Sequence, residues 1–122
     1  MANTLLSNII EDKADRYIAL SDAVWATPEL AFSEHRSSEL HGEALTLEGF
    51  AVETGVANLP TAIRAQAGDG GPTIAFLGEF DALPGLSQIA GQTQAEPMLA
   101  GGNGHGCGHN LLGAASLLAA AG

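Results

Sequence analysis

Residues 73–81 read Thr-Ile-Ala-Phe-Leu-Gly-Glu-Phe-Asp, and the class of the fold turns on them. The first five carry no charge and are apolar on both faces, which fits an interior strand better than an edge strand. The run stops at Gly78, and Glu79 and Asp81 follow with one residue between them. If the strand continues, the two carboxylates point to the same face. Carboxylates at the C-terminal end of such a strand stand where α/β sheets place ligand sites. The plainer reading, a solvated strand end before a turn at Pro84-Gly85, stays open at this point.

Upstream of this run the period changes twice. Phe50-Ala-Val-Glu-Thr-Gly-Val56 and Thr61-Ala-Ile-Arg-Ala-Gln-Ala67 read as strands, and Gly68-Asp-Gly-Gly71 supplies residues that tolerate positive φ for a tight hairpin into 73–77. Before Gly49 the spacing is helical. Leu6, Ile9, Ile10, Tyr17, Leu20 and Val24 predict a helix over 4–26, with Thr4 as N-cap and Pro28 ending it. A second helix is predicted from Ser33 to Glu48, with Gly49 as its left-handed cap. Downstream, 85–108 is a long Gly-rich loop of the kind that carries function. A last helix begins at His109 and is apolar all round, so it needs cover on every side. Short strands and two amphipathic helices provide too little. The expected architecture is α/β: one unit, 1–122, with a mixed sheet flanked by helices, truncated or borrowing cover from a partner chain.

Composition excludes some functions. Fourteen acids against four bases give a net charge of −10, and no Lys or Arg follows Arg64. Phosphates are neutralised by Lys and Arg, so neither nucleic acid nor an anionic membrane is an expected partner. An apolar fraction of 46% belongs to a chain that buries a core. No run of 18 apolar residues occurs, and the first residues lack the basic and apolar regions of a signal peptide. Cys107 is the single cysteine and forms no internal disulfide. The expected location is the cytoplasm.

Chemistry concentrates in Gly104-His-Gly-Cys-Gly-His-Asn110. Thiolate and imidazole are preferred ligands of zinc and related ions. One glycine separates Cys107 from His109, so in an extended segment both side chains fall on one face. The pair lies where a loop enters a helix, and a helix N-terminus favours the thiolate. Two ligands alone do not make a site. A glycine loop with a buried thiol and an incidental histidine is the competing reading.

Taken together, Gly78-Glu-Phe-Asp-Ala-Leu-Pro-Gly-Leu-Ser-Gln88 and Gly104-His-Gly-Cys-Gly-His-Asn-Leu-Leu-Gly113 closely resemble the aminoacylase/carboxypeptidase-like metallopeptidases, above all their aminobenzoyl-glutamate hydrolase branch of amidohydrolases. Trp25-Ala-Thr-Pro-Glu-Leu-Ala-Phe-Ser-Glu34 and Gly49-Phe-Ala-Val52 are similar to the family's opening helix, turn and first strand. The resemblance implies the N-terminal part of a zinc-exopeptidase-like catalytic domain. It makes Cys107 and His109 metal ligands, and Asp81 a carboxylate that orients a ligand. Glu79 stands where relatives often have Asp or His. Asn110 stands where many have Asp, and His105 matches a recurrent histidine, so both are expected around the metal rather than on it. Trp25, Pro28 and Glu29 also match, and helix packing and termination account for them.

The resemblance further implies two divalent ions, manganese or zinc, and a glutamate general base acting on N-acyl amino acids or dipeptide-like amides. Thirteen residues follow His109, and none is Glu, Asp or His. The base and at least half of the ligands are therefore expected elsewhere in a longer parent enzyme. Residues 1–122 alone are expected to bind metal weakly, to lack activity and to self-associate through the last helix. The alternative from another class is a non-catalytic binding or assembly module that retains half of the metal site.

Overall fold

The computed structural model describes residues 2–122. Three α-helices and two strands follow in the order α1 (Ala2–Trp25), α2 (His35–Leu47), β1 (Ala51–Thr54), β2 (Ile63–Gln66) and α3 (His109–Ala121). Among the described residues no helix is long and apolar enough to cross a membrane.

α1 is already helical at Ala2, so Thr4 lies inside its first turn and is not the expected cap. It ends at Trp25, three residues before Pro28. Of the predicted apolar series, Tyr17, Leu20 and Val24 are buried, whereas Leu6 and Ile10 stay exposed. Tyr17, Leu20, Val24 and Ala114 form the core, with Leu40, Ala44, Phe80, Leu117, Leu118 and Ala121 packed against it. α1 therefore packs against both α2 and α3 around one core. α2 is joined to α1 by a part-buried ionic clamp. Glu48 takes hydrogen bonds from Lys13, from Arg16 Nη1 (2.8 Å) and from the Tyr17 hydroxyl (3.3 Å). Burial first, and the Glu48 charge second, push the Tyr17 phenol up to about 12.

α2 begins two residues later than the spacing predicts and ends at Leu47, with Glu48 as its cap. Gly49 takes the left-handed conformation (φ +88°) as expected. The helix N-terminus is closed from outside. Glu29 accepts the backbone N–H groups of Arg36 (2.9 Å) and Ser37 (2.8 Å) and the Ser37 hydroxyl (2.9 Å). A carboxylate there satisfies orphan donors and meets the positive end of the helix. Burial raises the Glu29 carboxyl, but these donors outweigh it and hold the group below its usual range.

β1 and β2 pair antiparallel, Ala51 opposite Gln66 and Thr54 opposite Ile63. The expected third strand does not form, and neither does the hairpin at 68–71. Residues 73–77 have no strand partner among the described residues, so the sheet is two-stranded and antiparallel, not mixed. An interior strand needs a neighbour on each edge to satisfy its backbone, and the two strands present pair with each other. Ile74 is 76% exposed and Leu77 88%. α3 likewise departs from expectation. One flank packs on α1, while Leu111 and Leu112 face outward.

Candidate metal centre

The segment after Leu77 is held by three neighbours. Ser116 on α3 donates its hydroxyl to the Leu77 carbonyl at 2.8 Å. The Ala82 N–H donates to the Glu29 carbonyl at 2.7 Å, so 81–83 runs beside the turn after α1. Leu83 exchanges both backbone hydrogen bonds with Gly104, each at 3.0 Å, which brings the Gly-rich loop alongside. This approach requires glycine at 104, where a Cβ would lie 1.9 Å from the Leu86 carbonyl oxygen. The Asn103 amide, bonded to the Pro28 carbonyl at 3.1 Å, closes the same junction.

His109 is the first residue of α3, entered through Gly108 at φ +80°. Its Nδ1–H donates to Asp81 Oδ1 at 2.7 Å, and its Nε2 lies 3.0 Å from Glu79 Oε2. The two carboxylates thus clasp one imidazole from its two sides. Glu79, Asp81 and His109 offer ligand atoms that all lie within 4.8 Å of one another. With Nδ1–H fixed on Asp81, a neutral ring presents a bare lone pair to the Glu79 carboxylate. That face-off needs a second proton or a cation between the two groups. One imidazole and two carboxylates are an acceptable donor set for zinc or manganese. The residues fit the ion that the family resemblance implies.

The other predicted positions are placed differently. Cys107 is exposed and not part of that group. Residues 105–108 form a turn, closed by the Gly108 N–H on the His105 carbonyl at 3.0 Å, not the extended segment that would align Cys107 with His109. His105 is buried beside Trp25 and donates Nε2–H to the Val24 carbonyl at 3.1 Å. Burial holds its imidazole below the usual value despite that bond. Asn110 is buried and donates to the Ser21 hydroxyl at 3.0 Å, fastening α3 to α1. Both residues therefore brace the loop and helix that deliver His109.

Sequence reasoning passed over His41, which is 1% exposed. Its Nδ1–H donates to the Ser37 carbonyl at 2.8 Å, its ring lies 4.8 Å from that of Phe80, and Nε2 has no partner among the described residues. Burial lowers its pKa, so the ring is neutral and Nε2 is a bare acceptor. An unmet buried acceptor costs about 1–3 kcal/mol. The available signal was a histidine on the α2 face that also carries Ser37, Ser38 and Leu45, all buried.

No protein-family model matches the chain. Along 93–94% of its length, however, it aligns with curated hydrolases and peptidases. These relatives are named hydrolases, dipeptidases and carboxypeptidases, all enzymes, in agreement with the family that the two motifs resemble. The chain is 48% identical over 115 residues to a subunit of the p-aminobenzoyl-glutamate hydrolase of Escherichia coli K12. It is 38% identical over 128 residues to the Xaa-Arg dipeptidase of Mus musculus and 32% over 122 to thermostable carboxypeptidase 2 of Saccharolobus solfataricus. The chain covers 24%, 25% and 30% of these relatives, so it spans only about a quarter of the proteins it matches.

Proposed function

We propose that this chain supplies part of the metal centre of a metal-dependent amidohydrolase that cleaves N-acyl amino acids or dipeptide-like amides. The observation that carries the reading is the clasp of His109 between Asp81 and Glu79. Asp81 holds the Nδ1 proton, which fixes the ring's tautomer and orientation and leaves Nε2 for an ion. Glu79, exposed at its side chain, faces Nε2 and offers a second donor. Cys107 adds a thiolate if the 105–108 turn swings toward the clasp, and that addition favours zinc over manganese. A second ion, a general base and the remaining donors follow from the family resemblance. When bound, a divalent ion supplies Lewis acidity toward water and toward the amide carbonyl.

Two relatives carry names that specify an amide beside an amino acid, p-aminobenzoyl-glutamate and Xaa-Arg. That chemistry supports the substrate class proposed here. The test is a Co(II) or Mn(II) titration of the chain, together with hydrolysis of p-aminobenzoyl-glutamate by the longest protein that contains it. His109→Ala is expected to abolish metal uptake, and Cys107→Ala to weaken it and sharply reduce turnover in the longer protein. Residues 1–122 alone are expected to show no turnover, since a general base must stand near the metal-activated water. Unchanged metal uptake by His109→Ala sinks the reading. Full activity of metal-loaded Cys107→Ala removes the thiolate from it.

A further inference from the structure

We propose that His41 is a positioning residue for the carboxylate pair: its imidazole, wedged between Gly113 and Phe80, sets how Glu79 and Asp81 meet His109. The functional consequence rests on the metal reading above, whereas the geometry stands without it.

Phe80 lies between the two carboxylates in an extended stretch, so its side chain takes the opposite face. It points inward and packs on the core of Tyr17, Leu20, Val24 and Ala114. The depth to which its ring sinks therefore sets the height of both carboxylates. The group against that ring is His41, at 4.8 Å and tilted by 40°. On the other side of His41 is Gly113, one helical turn beyond His109. A Cβ at 113 would lie 2.5 Å from His41 Nε2 and 2.9 Å from the Glu79 carbonyl oxygen. His41 thus touches the helix that carries His109 and the ring that stands between Glu79 and Asp81. It is in contact with the two segments that carry the halves of the clasp.

The imidazole is itself fixed. Its Nδ1–H is held by the Ser37 carbonyl, and Ser37 is held through its N–H and hydroxyl by the Glu29 carboxylate. The Glu29 carbonyl in turn receives the Ala82 N–H. A closed circuit runs from Glu29 through Ser37, His41 and Phe80 to Ala82 and back to Glu29. A leucine in place of His41 could fill the space, but it has no hydrogen bond to fix its orientation within that circuit.

The test reads the clasp directly in the 122-residue chain. The Nδ1–H proton of His109, held against Asp81, is followed by NMR with labelled histidine. Mn(II) affinity is followed by water-proton relaxation, and folding by thermal unfolding. His41→Ala is expected to shift or erase the His109 signal and weaken Mn(II) about tenfold, the lower range for loss of a group supporting a ligand. His41→Phe keeps a ring against Phe80 but loses the hydrogen bond to Ser37, and should recover both only in part. Gly113→Ala reaches the same contact from α3 and should disturb the signal even if His41→Ala fails to fold. A folded His41→Ala, or failing that a folded Gly113→Ala, with an unchanged His109 signal overturns the proposal. If the native chain takes up no Mn(II) but the variants still lose the signal, the metal reading falls and the positioning role stands.

Discussion

The half of the molecule built from α1, α2 and α3 and the half built from 73–77 and the Gly-rich loop are both rich in apolar residues, yet they end differently. Val24 is fully buried, while Ile74 is 76% exposed and Met98 and Leu99 lie on the surface. In the helical half Tyr17, Leu20, Val24 and Ala114 find one another, although Leu6, Ile10, Leu111 and Leu112 stay exposed, and the Glu48 carboxylate has its cations at hand. In the open half the apolar residues come without neighbours. The candidate site lies on the seam. His109 opens α3 in the closed half and holds Asp81 at Nδ1, while Glu79, opposite Nε2, is exposed at its side chain. Apolar content alone thus does not close a structure; complementary faces must be present as well.

The contrast between the halves is most vulnerable at the seam. Gly104→Ala would drive a Cβ into the Leu86 carbonyl, so the pairing of Leu83 with Gly104 has to part. We expect a loss of about 3 kcal/mol, the upper range for overpacking, and a weakened His109–Asp81 hydrogen bond, read by denaturant unfolding and histidine NMR. A well-folded variant of native stability would mean that the loop does not brace the site.

Within the closed half, Val24→Ala should cost about 2 kcal/mol, as expected for removing buried methyl groups. Equilibrium unfolding in urea checks it. Glu29→Gln should cost less, about 1 kcal/mol, in the range for a lost helix cap. Its pH signature is specific. The folded Glu29 carboxyl is held below its ordinary 4.5. The stability it contributes is therefore complete above that value and is lost as the pH falls through the folded pKa. The native chain should lose stability more steeply below about pH 4.5 than Glu29→Gln, and parallel acid profiles would remove Glu29 from the account. Smallest is the open half, where Ile74→Ser should change stability by less than about 0.5 kcal/mol. It should nevertheless reduce self-association measured by sedimentation, because exposed apolar surface drives pairing. A large loss of stability there would show that 73–77 is packed in solution.

Local patterns were legible where neighbours in sequence are also neighbours in space. α1 and α2 follow from helical spacing, the Gly49 cap from its glycine, and the start of α3 from the loop that ends at Gly108. The same-face placement of Glu79 and Asp81 also follows from alternation, and both reach one imidazole. The turn at 105–108 was not legible, because alternation assumes an extended backbone and Gly106 and Gly108 release the chain from it. Nor was His41, whose meaning depends on Phe80 and Gly113, far away in the chain.

The amino-acid sequence was thus enough for the helices, the acidic charge and the two motifs that resemble the family's, since each rests on short-range spacing or composition. Tertiary structure decided that 73–77 stays unpaired among the described residues, that Glu79 joins Asp81 on His109 while Cys107 stands apart, and that His41 lies behind them. The reason is physical: pairing, burial and ligand geometry depend on which distant segments meet, and no local period encodes that.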